Sequence, residues 1–236
     1  MPFQTSIASA VLFLWLATLC TAEEASPAAG RPLVTQVGEN HYRIGEIELD
    51  SKKQAIQLPV TVNMEEGGPI EYFLVHDTGK VHESVLVTKV SPLNLQIALK
   101  LLKFKSGNGD VFNRLIPPHL LDKEGGNAED CGESVTFTFS AEGSTDEIRI
   151  PEMVLDGESR LPLKNGDWVY TGSIVDQGNF MAETEGSFIA IYLDPIAMFN
   201  MTAEGADFDE RWGANKDAIP EIGTKGILTI RIAPTR

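Results

Sequence analysis

Cysteine is nearly absent. The 236-residue chain has two, Cys20 and Cys131. Cys20 falls at the end of an N-terminal segment expected to be removed, so Cys131 stands alone and no intramolecular disulfide can form. Cys131 sits in EDCGE, among Glu129, Asp130 and Glu133. Negative neighbours disfavour a thiolate, so it reads as an inert loop thiol rather than a nucleophile. Positive charge is also scarce, with 19 Lys and Arg against 34 Asp and Glu and a formal net charge of −15. That field opposes phosphate backbones and excludes nucleic acid as a partner. The one basic cluster, KLLKFK at Lys100–Lys105, reads as the solvated edge of an amphipathic helix. Past the N-terminus no run is long and apolar enough to span a bilayer. Reaction signatures are missing too. There is no GxSxG, and HExxH is absent because Ser84-Val85-Leu86 follow His82-Glu83. Gly79-Lys80 is followed by Val81 and is a hairpin turn, not a P-loop. No repeat period is visible.

The N-terminus itself is informative. Ala8–Leu19 (ASAVLFLWLATL) has the length of a signal-peptide core, and Cys20-Thr21-Ala22 offers a small-x-Ala cleavage pattern. Residues 1–22 are therefore expected to be a signal peptide, although no Lys or Arg precedes the apolar run. Residues 23–40, opening on EEASPAAGR, read as a flexible linker. Residues 41–236 are left as a single β-rich domain, secreted or periplasmic, with no transmembrane segment.

Within that domain, His41–Leu49 and Gln54–Asn63 alternate apolar and polar residues around a polar turn. Pro59 marks an edge or a bulge. Ile70–His76 predicts a third strand, Asp77–Lys80 a tight turn, and Val81–Val90 a fourth strand, giving an antiparallel meander. Ser91–Phe104 (SPLNLQIALKLLKF) predicts the one clear helix, with Ser91 as N-cap, Pro92 in the first turn and Gly107-Asn108-Gly109 as its end. Val111–Gly132 reads as a long loop. Strand patterns resume at Ser134–Ser140, Glu147–Val154, Gly166–Ser173, Asn179–Glu183, Ser187–Leu193 and Gly226–Ile232, with one helical turn at Pro195–Met201. The expected class is α+β: a mainly antiparallel β-sheet with one prominent covering helix.

The candidate site centres on EYFLVHDTGKVHES, where titratable residues interrupt apolar strands. On a regular strand His82 and Glu83 point to opposite faces. Glu83 then shares a face with Val81, Val85 and Val87 and needs a partner, for which Lys80 or Lys89 is near. A structural ion pair is favoured over a catalytic carboxylate. His76 and His82 could meet across the Asp77–Lys80 turn and, with Glu71 or Glu83, hold zinc or another divalent metal. No cofactor is expected otherwise. In DWVYTGS, Trp168 and Tyr170 share a strand face beside Thr171 and Ser173, as an aromatic platform or as core. Glu204–Asp217 is read as a solvated acidic loop rather than a Ca²⁺ site. Asn200-Met201-Thr202 is a glycosylation sequon where the machinery exists.

GEIELD, LPVTVN, IEYFLV, GKVHES, DWVYTGS and FMAETEGSFIAIY together resemble the YdjY-domain family of secreted bacterial proteins. The resemblance runs from about Gly45 to the last strand and implies an uncharacterised extracytoplasmic domain. Some relatives carry a cysteine-rich, ferredoxin-like iron–sulfur segment. This chain has no such cysteines, so a redox role does not carry over. By resemblance, Glu71, Lys80, His82, Glu83, Trp168, Thr171 and Ser173 are the candidate ligand-binding residues. The expected function is a non-enzymatic binding or accessory domain for a protein or small ligand of the cell envelope. A metal-dependent hydrolase using His76, His82 and a Glu is the competing expectation.

Overall fold

The computed structural model describes Met1 and residues 34–107, 131–163 and 168–234. The expected signal segment, most of the linker, most of the Val111–Gly132 loop and Gly166-Asp167 lie outside the described residues. In chain order the strands are β1 (Val34–Gly38), β2 (His41–Ile44), β3 (Ile47–Asp50), β4 (Ala55–Val62), β5 (Tyr72–His76) and β6 (Ser84–Thr88). Helix α1 (Pro92–Leu101) precedes β7 (Ser134–Ala141), β8 (Ile148–Arg149), β9 (Val154–Asp156), β10 (Trp168–Tyr170), β11 (Val175–Asp176) and β12 (Asn179–Phe180). Helix α2 (Met181–Glu185), β13 (Ser187–Ala190), β14 (Phe199–Met201), β15 (Trp212–Ala214) and β16 (Lys225–Ile232) complete the order.

Alternation on β4 shows how the sheet is used. Ile56, Leu58, Val60 and Val62 are buried while Gln57, Pro59 and Thr61 are not. This period of two fits a strand with one wet face. β4 pairs with β16 along its length, with β3 over Ala55–Gln57, and with β6 at Thr61↔Val87 and Val62↔Leu86. From β16 the ladder passes through β7, β10, β14, β13, β5 and β6 and returns to β4, a closed barrel of eight strands.

The expectation of an open antiparallel sheet under a covering helix is therefore corrected. A period of two is the same in a flat sheet and in a barrel wall, and sequence pattern does not reveal closure. The meander also fails at two places. β5 runs parallel to β6, and β13 parallel to β14. His41–Leu49 is two strands, folded back at Gly45, whose φ of +58° suits glycine in a tight turn. Val81–Glu83 is a 3₁₀ turn and not strand. Asn179–Glu183 is a two-residue strand running into α2, and Pro195–Met201 ends in β14 rather than a helical turn.

Pro59 is where β4 changes partner. Its carbonyl faces β6 and accepts the Thr88 hydroxyl at 2.7 Å. Its nitrogen, on the same side of the strand, needs no acceptor there, so proline is tolerated in a paired strand. Thr88 is buried, and its hydroxyl also accepts the Val90 N–H at 3.2 Å. One side chain thus links the seam to the start of α1.

Eight strands enclose a space that side chains can fill. Here Trp168, Tyr170, Phe139 and Phe199 are fully buried. Phe137 meets Trp168 edge-on at 5.9 Å between centroids and Phe199 at 5.2 Å. Such pairs add roughly 0.5–1.5 kcal/mol each beyond burial. α1 packs on β3 and α2 and contributes Leu95, Ala98 and Leu99 to the same core. Ser91 is its N-cap, accepting the Asn94 N–H, and Pro92 is at its start, as expected. The Glu183 carboxylate of α2 accepts the Leu93 N–H at 2.8 Å and the Ser91 hydroxyl at 2.9 Å, so one helix caps the other. α1 ends earlier than expected, followed by Lys103 at φ +63° rather than by the Gly107 region. Among the described residues no helix is long and apolar enough to cross a membrane.

Replacing Thr88 by Val keeps the shape but leaves the Pro59 carbonyl and Val90 N–H without a partner. Urea unfolding should show Thr88→Val less stable by about 1–3 kcal/mol. Leu93→Ala, on an exposed helix position, should cost no more than about 0.5 kcal/mol. Equal effects of the two would remove the seam's special role.

Candidate functional site

The parallel pairing of β5 and β6 governs the site. Tyr72 is opposite Ser84 and His76 opposite Thr88, so the 77–83 connector has to travel back along the barrel wall. It covers a small outer apolar cluster of Tyr72, Val75, Ala190 and Ala197, against which Val81 and Val87 pack. The Asn63 amide pins the connector by donating to the carbonyls of Val81 at 2.6 Å and Ser84 at 2.8 Å. The Ser84 hydroxyl donates to the Lys80 carbonyl at 2.7 Å.

This return path brings Lys80 and Glu83 over Glu71 and Tyr72. The Lys80 ammonium is 3.5 Å from the Glu71 carboxylate, 3.2 Å from the Tyr72 hydroxyl and 5.0 Å from the centre of its ring. Tyr72 donates to the Asp194 carboxylate at 2.7 Å. Burial chiefly, and the Asp194 charge next, push the Tyr72 phenol well above its ordinary range. It stays protonated at any physiological pH and is a hydrogen-bond donor, not a base. Partial burial also raises the Glu71 carboxyl, helped by the Glu83 charge and opposed by Lys80.

Glu83 does not pair with Lys80 or Lys89, as expected from strand alternation. On the 3₁₀ turn its carboxylate lies 3.1 Å from His82 Nε2 instead, with the His82 side chain 73% exposed. His76 is at the other end of β5, with its Nδ1 2.8 Å from the Thr78 hydroxyl and 3.2 Å from the Asp77 carboxylate. The register between Tyr72 and His76 spans about 13 Å at ~3.3 Å per residue. His76 and the connector residue His82, just before Ser84, are therefore set toward opposite ends of the β5–β6 pair. Among the described residues no three His, Cys, Asp or Glu side chains converge on a metal-sized space.

Trp168, Thr171 and Ser173 do not form an aromatic platform. Trp168 and Tyr170 do share a face, but it points into the packed barrel. Trp168 Nε1 donates to the Ala190 carbonyl at 3.0 Å. The Tyr170 hydroxyl donates to the Gln96 side chain of α1, and burial holds that phenol above its ordinary range. The Ser173 hydroxyl donates to the Ile196 carbonyl and accepts the Ala182 N–H.

Thr171 nevertheless joins the first group through Asp194, which the sequence did not single out, and Asn200, which it offered only as part of a sequon. Buried Asn200 donates to the Thr171 hydroxyl at 3.0 Å and to the Asp194 carbonyl at 2.9 Å, and accepts the Asp194 N–H at 2.8 Å. The chain Thr171–Asn200–Asp194–Tyr72–Lys80–Glu71 is thus one connected network. Asn200 spends its whole amide there and is 0% exposed, so the sequon is closed to glycosylation in the folded protein. The sequence placed Asn200 in a helical turn, whereas it lies on β14 between buried Phe199 and Met201.

These features define a mainly β protein built on a closed barrel, with a polar cluster outside its wall. The chain belongs to the YdjY-domain family, whose model matches residues 47–231 and so most of the chain. Neither the curated proteins nor the solved structures compared with it contain a match.

The Glu71 carboxyl gives a pH test. A raised carboxyl pKa means that the folded state takes up a proton before the unfolded state as pH falls. Between the two pKa values the native state therefore binds more protons, and stability declines as pH rises through that window. In a ¹³C NMR titration Glu71 should ionise above the ordinary glutamate value of 4.5. Glu83→Gln should bring its midpoint down and flatten that slope. An unmoved midpoint would remove Glu83 from the cluster.

Proposed function

We propose that this chain is an extracytoplasmic, non-enzymatic binding or accessory domain, serving a protein or small ligand of the cell envelope. The observation that carries this reading is the use of the polar cluster. Its groups are spent on one another and on holding the 77–83 connector. Tyr72 is kept protonated between Asp194 and Lys80. Among the described residues of the cluster, no nucleophile is set beside a base in the manner covalent or general-base chemistry needs. The barrel interior is filled with aromatic and aliphatic side chains, so a ligand would meet the outer surface rather than a calyx. The apolar N-terminal run followed by Cys20-Thr21-Ala22 supports export. Fold and family alone license no reaction.

The test is the metal content of the purified protein after exhaustive dialysis, beside His82→Ala. The proposal expects less than stoichiometric metal in both, with the variant folded, since His82 is exposed. One equivalent of metal in the parent that is lost in the variant would overturn it and favour the hydrolase.

A further inference from the structure

Helix α1 turns one apolar row inward and leaves a second one outside. Leu95, Ala98 and Leu99 join the barrel core. Leu93 and Leu101 are 42% and 50% exposed, and Ile97 between them is half-buried. Residues four apart share a helix face, so these three form a row about 12 Å long at ~1.5 Å per residue. Single exposed apolar side chains are ordinary on a protein surface, whereas several in one row mark a contact surface.

Charge is the second observation. Lys100, Lys103 and Lys105 lie at the C-terminal end of the row, and all three are exposed. Among the described residues the lysines held in ion pairs are Lys53, Lys80 and Lys216, so none of these three is neutralised. Two carboxylates bond to this segment. Glu183 caps the opposite end of the helix, and Glu133 accepts the Lys105 N–H at 3.1 Å. The C-terminal end therefore carries three lysines against Glu133, a local positive charge on a chain of net charge −15. Exposed charges more than about 8 Å away are largely screened at physiological salt, so the local sign governs what this face can touch.

Composition decides between a lipid and a protein surface. Protein interfaces concentrate Trp, Tyr, Met and Arg and are poor in Lys. This face offers only leucine, isoleucine and lysine, with no aromatic or guanidinium anchor to fill a pocket. Aliphatic side chains beside lysines, whose stems follow the apolar surface while their ammonium groups reach polar headgroups, suit a lipid interface. We propose that the outer face of α1 seats this protein on an anionic lipid surface. Leu93, Ile97 and Leu101 enter the boundary of the acyl chains, and the three lysines meet the lipid phosphates. So few groups make a weak, reversible and salt-sensitive attachment. The inference goes beyond the binding-domain reading and uses none of the polar cluster.

The probe is vesicles of phosphatidylglycerol and phosphatidylcholine in equal parts, cosedimented with the purified protein, with phosphatidylcholine vesicles as the control. The parent should bind the anionic vesicles, more weakly as salt rises, and prefer them to the neutral ones. A Lys100→Gln, Lys103→Gln double variant should lose about tenfold in partitioning, about 1.4 kcal/mol. Leu93→Ser with Leu101→Ser should weaken binding as well. All four positions are exposed, so the variants should stay folded, and the apolar N-terminal run is common to them and the parent. No binding, equal binding to neutral vesicles, or binding unchanged in either variant would each overturn the proposal. Soluble polyglutamate that shifts the 93–105 amides, where anionic vesicles do not bind, would overturn it in favour of an acidic protein. None of these results bears on metal content, so failure here and failure of the binding-domain reading are separable.

Discussion

The change of partner by β4 at Pro59 is the constraint on which the rest depends. Up to Gln57 the strand belongs to the β1–β4 meander; from Thr61 it belongs to β6. That switch closes the sheet into a barrel and encloses the Ile56, Leu58, Val60 and Val62 face. It also fixes a direction. β6 runs antiparallel to β4 and parallel to β5, so the chain leaving β5 has to return along the wall before β6 begins. Parallel neighbours are usually joined by a dozen residues or more. The 77–83 connector is shorter, and it lies close on the wall with Lys80 and Glu83 against Glu71 and Tyr72. The polar cluster is a consequence of barrel closure.

Much of this was legible in the residues, and the failures have a common cause. β4, β7 and β16 stand out because one face is buried and the other wet. Ser91-Pro92 announces α1 because capping is local chemistry. What depends on non-local pairing was not legible. Closure, the parallel pairs and the splitting of short strands leave no trace in a period of two. The alternation argument for His82 and Glu83 presumed a strand, and the 3₁₀ turn at Val81–Glu83 removed its basis. Glu71, Lys80 and Glu83 were singled out because charged residues among apolar ones are conspicuous. Asp194 escaped notice, and Asn200 was read only as part of a sequon, because their role is set by contacts with Tyr72 and Thr171, far away in sequence.

The network joining Thr171 to Glu71 follows the rule that buried polar groups must be satisfied. Asn200 uses both amide hydrogens and its oxygen, and Asp194 accepts from Tyr72 and from the Ile196 N–H. Such satisfaction ties the loop after β13 to β5 and β14, and it leaves the exposed end, Lys80, Glu71 and His82–Glu83, as the part that solvent reaches. Membership of the YdjY-domain family places this arrangement in a family without assigning a reaction. The barrel is closed and its interior is filled by apolar side chains, with the polar cluster outside its wall.

The most direct test of this account is the strand register around β6, read from interstrand nuclear Overhauser effects. The barrel requires Thr61–Val87 and Val62–Leu86 contacts across an antiparallel seam, together with Tyr72–Ser84 and Leu74–Leu86 contacts in a parallel pair. Observing both sets would establish closure and the return path that builds the polar cluster. An antiparallel β5–β6 hairpin, with His76 and His82 brought together and no contacts from β6 to β4, would contradict the barrel and the site built on it.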